Sequence, residues 1–236
     1  MAKVALKKRL RKLQLKKFRW QWQQFVAEGP KVVEDLLQAG LRANALYAVN
    51  PEGFEGAEAV TEKELKALSL LNSPNQVLAI FSFPFFKPHF KHSFLVLDGI
   101  NDPGNLGTLI RTADWFGMKQ VFCLEGTTDV YNAKTVQSTM GSLGRVAVHY
   151  ISASELYQKC QTSHFWLKAD MAGAALNQFE KPLQPLALVL GSESHGPSDF
   201  WQGKAQAITI NKVGHSAIDS LNVAVAGAIF MQRLFG

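Results

Sequence analysis

Three short stretches of the 236-residue chain gather residue types that can do chemistry. The first runs from Asp98 through Asp102-Pro103-Gly104 to Asn105 and on to Arg111. Asp-Pro-Gly shapes a tight turn, and Asn105 can cap the helix that follows. Arg111 falls among Leu109, Ile110, Ala113 and Trp115, and a planar cation in such company is expected to pair with an acid or a phosphate. The second stretch is Leu190-Gly191-Ser192-Glu193-Ser194-His195-Gly196. Its two glycines permit a sharp loop and close approach by a ligand, and Glu193 is its one acid. The third runs from Ile210-Asn211 to Asp219-Ser220-Leu221-Asn222, ahead of a smooth apolar run. Three polar groups at a helix start, where exposed N–H groups favour anions, exceed what capping needs. Each stretch alone also has a plain reading, as a capped loop, a turn and an N-cap.

Other chemistries leave no trace. Neither G-x-G-x-x-G nor G-x-x-x-x-G-K-[ST] occurs. The six histidines include no H-E-x-x-H and no close pair at metal-ligand spacing, and the two cysteines, Cys123 and Cys160, cannot build a zinc site or a disulfide framework. No metal is therefore expected. A serine-hydrolase elbow needs G-x-S-x-G, and around Ser194 the first glycine position holds Ser192. His195 and His215 fall in the suspect loops, where a lone exposed histidine is more often polar filler than a ligand.

These stretches must be carried by a scaffold, and the hydrophobic pattern outlines one. Residues 1–16 place Leu6, Leu10 and Leu13 at helical spacing, and Phe18, Trp20 and Trp22 alternate in a segment, Phe18 to Val26, that reads as a strand. Pro30 opens a helix closed by Gly40. Ala45–Val49 and Val77–Phe83 read as strands, and Thr61-x-x-Glu64 is a capping box before Leu65, Leu68 and Leu71. Pro84, Pro88 and the intervening aromatics, cations and histidines mark residues 84–92 as a linker. A second α/β pattern follows: strands at Phe94–Leu97, Gln120–Leu124, Val146–Tyr150, Leu186–Leu190 and Ala207–Ile210, with helices at Asn105–Phe116, Ala133–Met140 and Asp219–Leu234. Fully apolar strands alternating with helices imply a parallel sheet whose strand-end loops carry function.

Composition narrows the class. Apolar residues make up 47% and charged residues 19%, which excludes wholesale disorder, and no uncharged apolar run is long enough to span a membrane. The +6 net charge is concentrated: nine cations lie within the first 19 positions with no acid among them, while the rest of the chain carries −3. A polyanion is therefore met first by Lys7, Lys8, Arg9, Arg11, Lys12, Lys16, Lys17 and Arg19, as an arm that neutralises phosphates. A solvated helix end with no partner would look the same. With no convincing signal peptide and two cysteines, a cytoplasmic location is expected.

In order, the stretches DPGNLGTLIRTADWFG, LVLGSESHG and ITINKVGHSAIDSLNVAVAGAIF resemble the three motifs of the SpoU-type (TrmH-like) RNA 2′-O-ribose methyltransferases of the SPOUT class, and YNAKTVQSTMGSLGRVAV resembles the segment between the first two. The likeness covers residues 93–236. KKFR and FVAEGPKVVEDLL resemble the L30e-like substrate-binding domain that often precedes them. Two positions depart from the family pattern: Ile210-Asn211 stands where Ile-Pro is usual, and Ser194 replaces a glycine.

The resemblance implies an α/β fold in which a parallel sheet ends in a trefoil knot, an exception to the rule that chains are un-knotted. An L30e-like RNA-binding domain with its basic arm would occupy residues 1–83 and the methyltransferase domain residues 93–236. S-adenosylmethionine would be held by Leu190, Gly191, Ile210, Asn211, Ser220 and Leu221, and Asn105, Arg111, Glu193, Ser220 and Asn222 would form the catalytic constellation. The partners implied are rRNA or tRNA and a second copy of the chain, with the active site at the subunit interface. The family's proposed base is Arg111. An arginine stays protonated near neutral pH, so a role in binding phosphate or stabilising the developing alkoxide is preferred, with phosphate as a proton relay. A non-catalytic RNA-binding protein on the same fold is the alternative.

Overall fold

The computed structural model describes residues 2–69, 71, 76–214 and 218–236; His215 lies outside them. In chain order the first elements are α1 (Ala2–Leu13), α2 (Lys16–Trp22), β1 (Gln24–Glu28), α3 (Pro30–Gln38), β2 (Ala43–Ala48), β3 (Glu58–Ala59), α4 (Glu62–Leu68) and β4 (Val77–Ser82). There follow β5 (Phe94–Asp98), α5 (Pro103–Trp115), β6 (Gln120–Cys123), α6 (Ala133–Thr139), β7 (Ala147–Tyr150), α7 (Ala153–Cys160), β8 (Phe165–Ala175), β9 (Leu186–Gly191), β10 (Gln206–Thr209) and α8 (Val223–Phe235). They sort into two compact units, residues 1–86 with 129–145, and residues 87–128 with 146–236. Residues 129–145, which sequence order puts in the second domain, thus pack with the first unit.

In the first unit a four-stranded sheet runs β1-β4-β2-β3, antiparallel except for β2 with β3. Leu10 and Leu13 of α1 and Leu65 and Leu68 of α4 close over Val26, Leu78 and Ile80. The Thr61–Glu64 capping box forms in full: the Thr61 hydroxyl accepts from the Glu64 N–H, and the Glu64 carboxylate accepts from the Thr61 N–H at 2.9 Å.

The expected strand over Phe18–Val26 is instead a helix as far as Trp22, then Gln23 in the left-handed region, then β1. The alternating aromatics misled because they serve two faces of a helix. Phe18 and Trp22, four residues apart, meet on one helix face at 5.3 Å, and Trp20 meets Phe83 edge-on at 5.4 Å. Between them Arg19 points inward. It is 4% exposed, and its Nε and Nη2 donate to Asp129 Oδ2 at 2.8 and 2.6 Å. Its Nη1 donates to the Leu13 and Gln14 carbonyls, while Asp129 Oδ1 accepts from the Trp20 indole N–H and the Tyr131 N–H. Arg19, expected in the phosphate-binding arm, is therefore an internal anchor that ties residues 129–145 to α2.

In the second unit all five strand pairings are parallel, in the order β10-β8-β9-β5-β6-β7. The chain starts in the middle at β5, builds outward to β7, then crosses to β8 and returns to β9 beside β5. The direction of building reverses between β5 and β9, the place where open parallel sheets bind ligands at their carboxyl ends. β8 and α7 have no counterpart among the elements expected from the hydrophobic pattern. Two helix starts also shift: Asp102, not Asn105, caps α5 through the Asn105 N–H at 2.8 Å, and α8 begins at Val223 rather than Asp219. Among the described residues no helix is long and apolar enough to cross a membrane.

Removing one partner of a satisfied buried ion pair strands the other. Asp129→Ala should lower unfolding stability by about 3–5 kcal/mol, measured by urea denaturation. A loss below about 1 kcal/mol would show that the pair is not an anchor.

Candidate functional site

Three loops meet at the carboxyl ends of β5, β9 and β10, and one oxygen joins them. Glu193 Oε1 accepts from Asn222 Nδ2 at 2.6 Å, from Asn105 Nδ2 at 3.0 Å and from the Val223 N–H at 3.3 Å. Asn222 Nδ2 also reaches Asn105 Oδ1 at 3.0 Å, while Asn222 Oδ1 caps α8 through the Ala224 and Val225 N–H groups. The arrangement follows from local preferences. Because Asp102 caps α5, the Asn105 side chain is free to leave its own helix. Asn222 uses its oxygen on its helix and its amide hydrogens outward, which an ionised aspartate, having no hydrogen to donate, cannot do.

Beside this junction lies a cleft of about 570 Å³, within the usual size of a small-molecule site. It is lined by every position expected to hold a cofactor: Leu190, Gly191, Ile210, Asn211, Ser220 and Leu221. Gly191 is obligatory, because a Cβ there would stand 1.9 Å from the Gly196 carbonyl carbon and the Pro197 nitrogen. Ser194 takes no positive φ; the loop's one left-handed residue is Gly196, at +69°. His195 lines the cleft as well.

One wall was not foreseen. β10 pairs with Leu167 and Lys168 of β8, then jumps to Ala174 and Ala175, leaving residues 169–173 outside the ladder. The backbones cross so closely that a Cβ on Gly173 would stand 2.5 Å from the Ile208 nitrogen. The extruded Ala169, Asp170 and Met171 face the cleft. Asp170 accepts from Lys168 Nζ at 2.7 Å and from the Ala172 N–H at 3.0 Å, and these bonds hold its carboxyl below the ordinary range. The signal available in sequence was Gly173 between alanines in a segment with no clear period.

Arg111 does not join the junction. The buried face of α5 is Leu106, Gly107, Leu109, Ile110 and Ala113, and Arg111 points outward with Trp115, which is 84% exposed one turn on. The expectation of an apolar setting for this arginine fails because neighbours in sequence on a helix do not share a face. Ser220 borders the cleft but is exposed and makes no bond to Glu193, Asn105 or Asn222. In the N-terminal arm Lys8, Arg11, Lys16 and Lys17 are exposed; Arg9 donates to Gln24 at 2.7 Å, and Lys12 lies over the Phe18 and Trp22 rings. Lys7 is half-buried.

The profile of the SpoU rRNA Methylase family matches residues 92–232. The chain belongs to this family. Residues 7–79 match the MRM3-like substrate binding domain. Among relatives of this SpoU methylase is the 23S rRNA (guanosine(2553)-2′-O)-methyltransferase RlmP of Bacillus subtilis, 30% identical over 96% of this chain and 94% of that protein. Among the solved structures similar along the chain are the following two. A TrmH-family protein from Porphyromonas gingivalis has TM-score 0.85 and 33% identity, covering 96% of this chain and 95% of that one. The AdoMet-bound rRNA methyltransferase from Sinorhizobium meliloti has TM-score 0.83 and 28% identity, covering 96% and 92%.

Asn222 should matter to stability as well as to the site. Asn222→Ala removes a cap and should cost about 0.5–2 kcal/mol by thermal unfolding. Asn222→Asp keeps the cap but sets two carboxylates together, so its deficit should shrink as pH falls toward 4. Equal deficits across that range would show that Asn222 and Glu193 are not in contact.

Proposed function

We propose that this SpoU methylase transfers a methyl group from S-adenosylmethionine to a ribose 2′-hydroxyl of structured RNA, with rRNA as the substrate. The observation that carries the reading is the Asn105–Glu193–Asn222 junction beside the 570 Å³ cleft. The residues fit the cofactor. The walls are largely apolar, Gly191 lets the Gly196–Pro197 backbone close in beside them, and the exposed Ser220 and Asn211 border the cleft. When bound, the cofactor supplies a methyl group already activated on a sulfonium.

The chain must then align the ribose and help its hydroxyl lose a proton. Glu193, Asn105 and Asn222 fix the loops around the cleft, with Leu190, Gly191, Ile210, Asn211, Ser220 and Leu221 as the cofactor wall. Arg111 makes no bond to that junction and is exposed, and we assign it to RNA phosphate or to the developing alkoxide. Lys7, Lys8, Arg9, Arg11, Lys12, Lys16 and Lys17 supply the phosphate-binding arm of an L30e-like domain over residues 1–83, joined through 84–92 to the methyltransferase domain over 93–236. The MRM3-like match supports this division.

A homodimer completes the reading. Trp115, Val225 and Ile229 leave apolar surface on α5 and α8, which pack together, and Arg111 shares that face of α5 with Trp115. A second copy covering this surface would bring Arg111 to a site it does not reach within one chain. A trefoil knot in the C-terminal segment is part of the same family reading, and a cytoplasmic location suits an rRNA substrate.

The direct test is methyl transfer from labelled S-adenosylmethionine to unmodified rRNA, with the product nucleoside identified by mass spectrometry. Arg111→Ala should lower kcat by about 100-fold or more while leaving cofactor affinity within about threefold. Near-normal turnover by Arg111→Lys would overturn a role for its forked geometry. Replacing Lys8, Arg11, Lys16 and Lys17 by glutamine should raise KM for RNA and flatten its dependence on salt, by about 0.7–0.9 in log–log slope for each phosphate no longer neutralised. An unchanged slope would leave the arm without a substrate role.

A further inference from the structure

Asp98 is the last residue of β5 and lies beside Gly191, the last residue of β9, in the parallel ladder. From Gly191 the chain doubles back at once. Ser192 and Gly196 form an isolated bridge, and the Gly196 N–H donates to the Ser192 carbonyl at 2.8 Å. This fold-back returns the chain toward β5, where the Ser198 N–H donates to Asp98 Oδ2 at 2.8 Å. The same oxygen accepts the indole N–H of Trp201 at 3.0 Å, and Trp201 is fully buried, stacked on Trp166 at 5.0 Å. The loop that bears Glu193 therefore has two fixed ends. One is the strand itself, and the other is a single carboxylate oxygen on the neighbouring strand, anchored in turn to the core.

We infer that Asp98 is a positioning residue for Glu193: by stapling Ser198 it fixes the return of the loop, and so the place at which Glu193 meets Asn105 and Asn222. Glu193 is exposed, and its side chain is long enough to reach elsewhere. With the staple released, Gly196 and its neighbours can open from the bridge, and the three-loop junction loses its central acceptor. No other described side chain bonds to the Ser198 N–H. Asp98 makes no hydrogen bond to Asn105, Glu193 or Asn222, so its effect on the reaction passes through the loop.

The activity arm of the test rests on the methyl-transfer reading; the exchange arm does not. Asp98→Ala, Asp98→Asn and Trp201→Phe are compared with the wild-type chain. By hydrogen-exchange mass spectrometry, Asp98→Ala should speed exchange across residues 192–198 by about tenfold or more, with the distant strands unaffected. Unchanged protection of that loop overturns the proposal, whether or not any RNA is methylated. In methyl transfer, Asp98→Ala should lower kcat by about tenfold to 100-fold with KM for RNA within about threefold, the pattern of a misplaced constellation rather than weakened binding. Asp98→Asn, which keeps an acceptor oxygen, should recover most of the loss. Trp201→Phe removes the second donor and loosens the core while leaving the Ser198 staple, and should keep kcat within about twofold of wild type at a temperature where it is folded. If Trp201→Phe folds and loses kcat as deeply as Asp98→Ala, the effect is one of packing and the proposal fails. Should Trp201→Phe not fold, recovery by Asp98→Asn decides the same point. A wild-type chain inert toward rRNA counts against the methyl-transfer reading, and the exchange result still decides the staple.

Discussion

A carboxylate oxygen with three N–H donors in reach is the point on which the site depends. Glu193 Oε1 draws one donor from the start of α5, one from the loop before α8 and one from the first backbone amide of α8. Hydrogen bonds to an ionised acceptor are roughly twice as strong as neutral ones, and the exposed amides at a helix start favour an anion. The same contacts explain why the neighbours are asparagines. Asn222 must accept from its helix and donate to Glu193 together, and Asn105 must donate to Glu193 while accepting from Asn222. An acid at either position would set like charges side by side.

The sheet makes this meeting possible. A parallel sheet brings loops from distant parts of the sequence to one edge, and the return of β9 to the side of β5 puts Gly191 next to Asp98. Close backbone approach does the rest. α8 nests against α5 and β9 where a Cβ on Gly227 would stand 2.4 Å from Leu109 and 2.9 Å from Leu190. The extruded stretch of β8 follows the same logic, since β10 can cross so near only where Gly173 has no side chain. Glycines at three crossings thus set how near the loops come.

Much of this was legible in the residues. The apolar runs at Phe94–Leu97 and Leu186–Leu190 announced buried parallel strands, and both form. The positions expected to hold a cofactor line the cleft, and three of the five residues expected to act together share one hydrogen-bonded junction. What failed has physical causes. The middle of β8 puts Asp170 and Gly173 in a stretch, residues 169–173, that is outside the ladder with β10, so no period of two survives. The aromatics at 18, 20 and 22 mimic a strand because Phe18 and Trp22 pair on one helix face while Trp20 turns to Phe83. A count of charges treats nine cations alike, whereas Arg19 finds its acid 110 residues away.

The division of labour between Glu193 and Arg111 follows from what each has left to offer. Three donors crowd one Glu193 oxygen, so in the proposed reaction that oxygen would hold loops rather than collect the ribose proton. Arg111 has five N–H donors, lies outside the junction and cannot act as a neutral base near pH 7. A methyl transfer from a sulfonium needs less help at the leaving side than at the nucleophile, where negative charge grows on a poorly acidic hydroxyl. A fork of donors brought to that oxygen, or to the phosphate beside it, stabilises the charge without first losing a proton. On the reading we propose, the proton passes to phosphate or water, and the arginine would make its departure less costly.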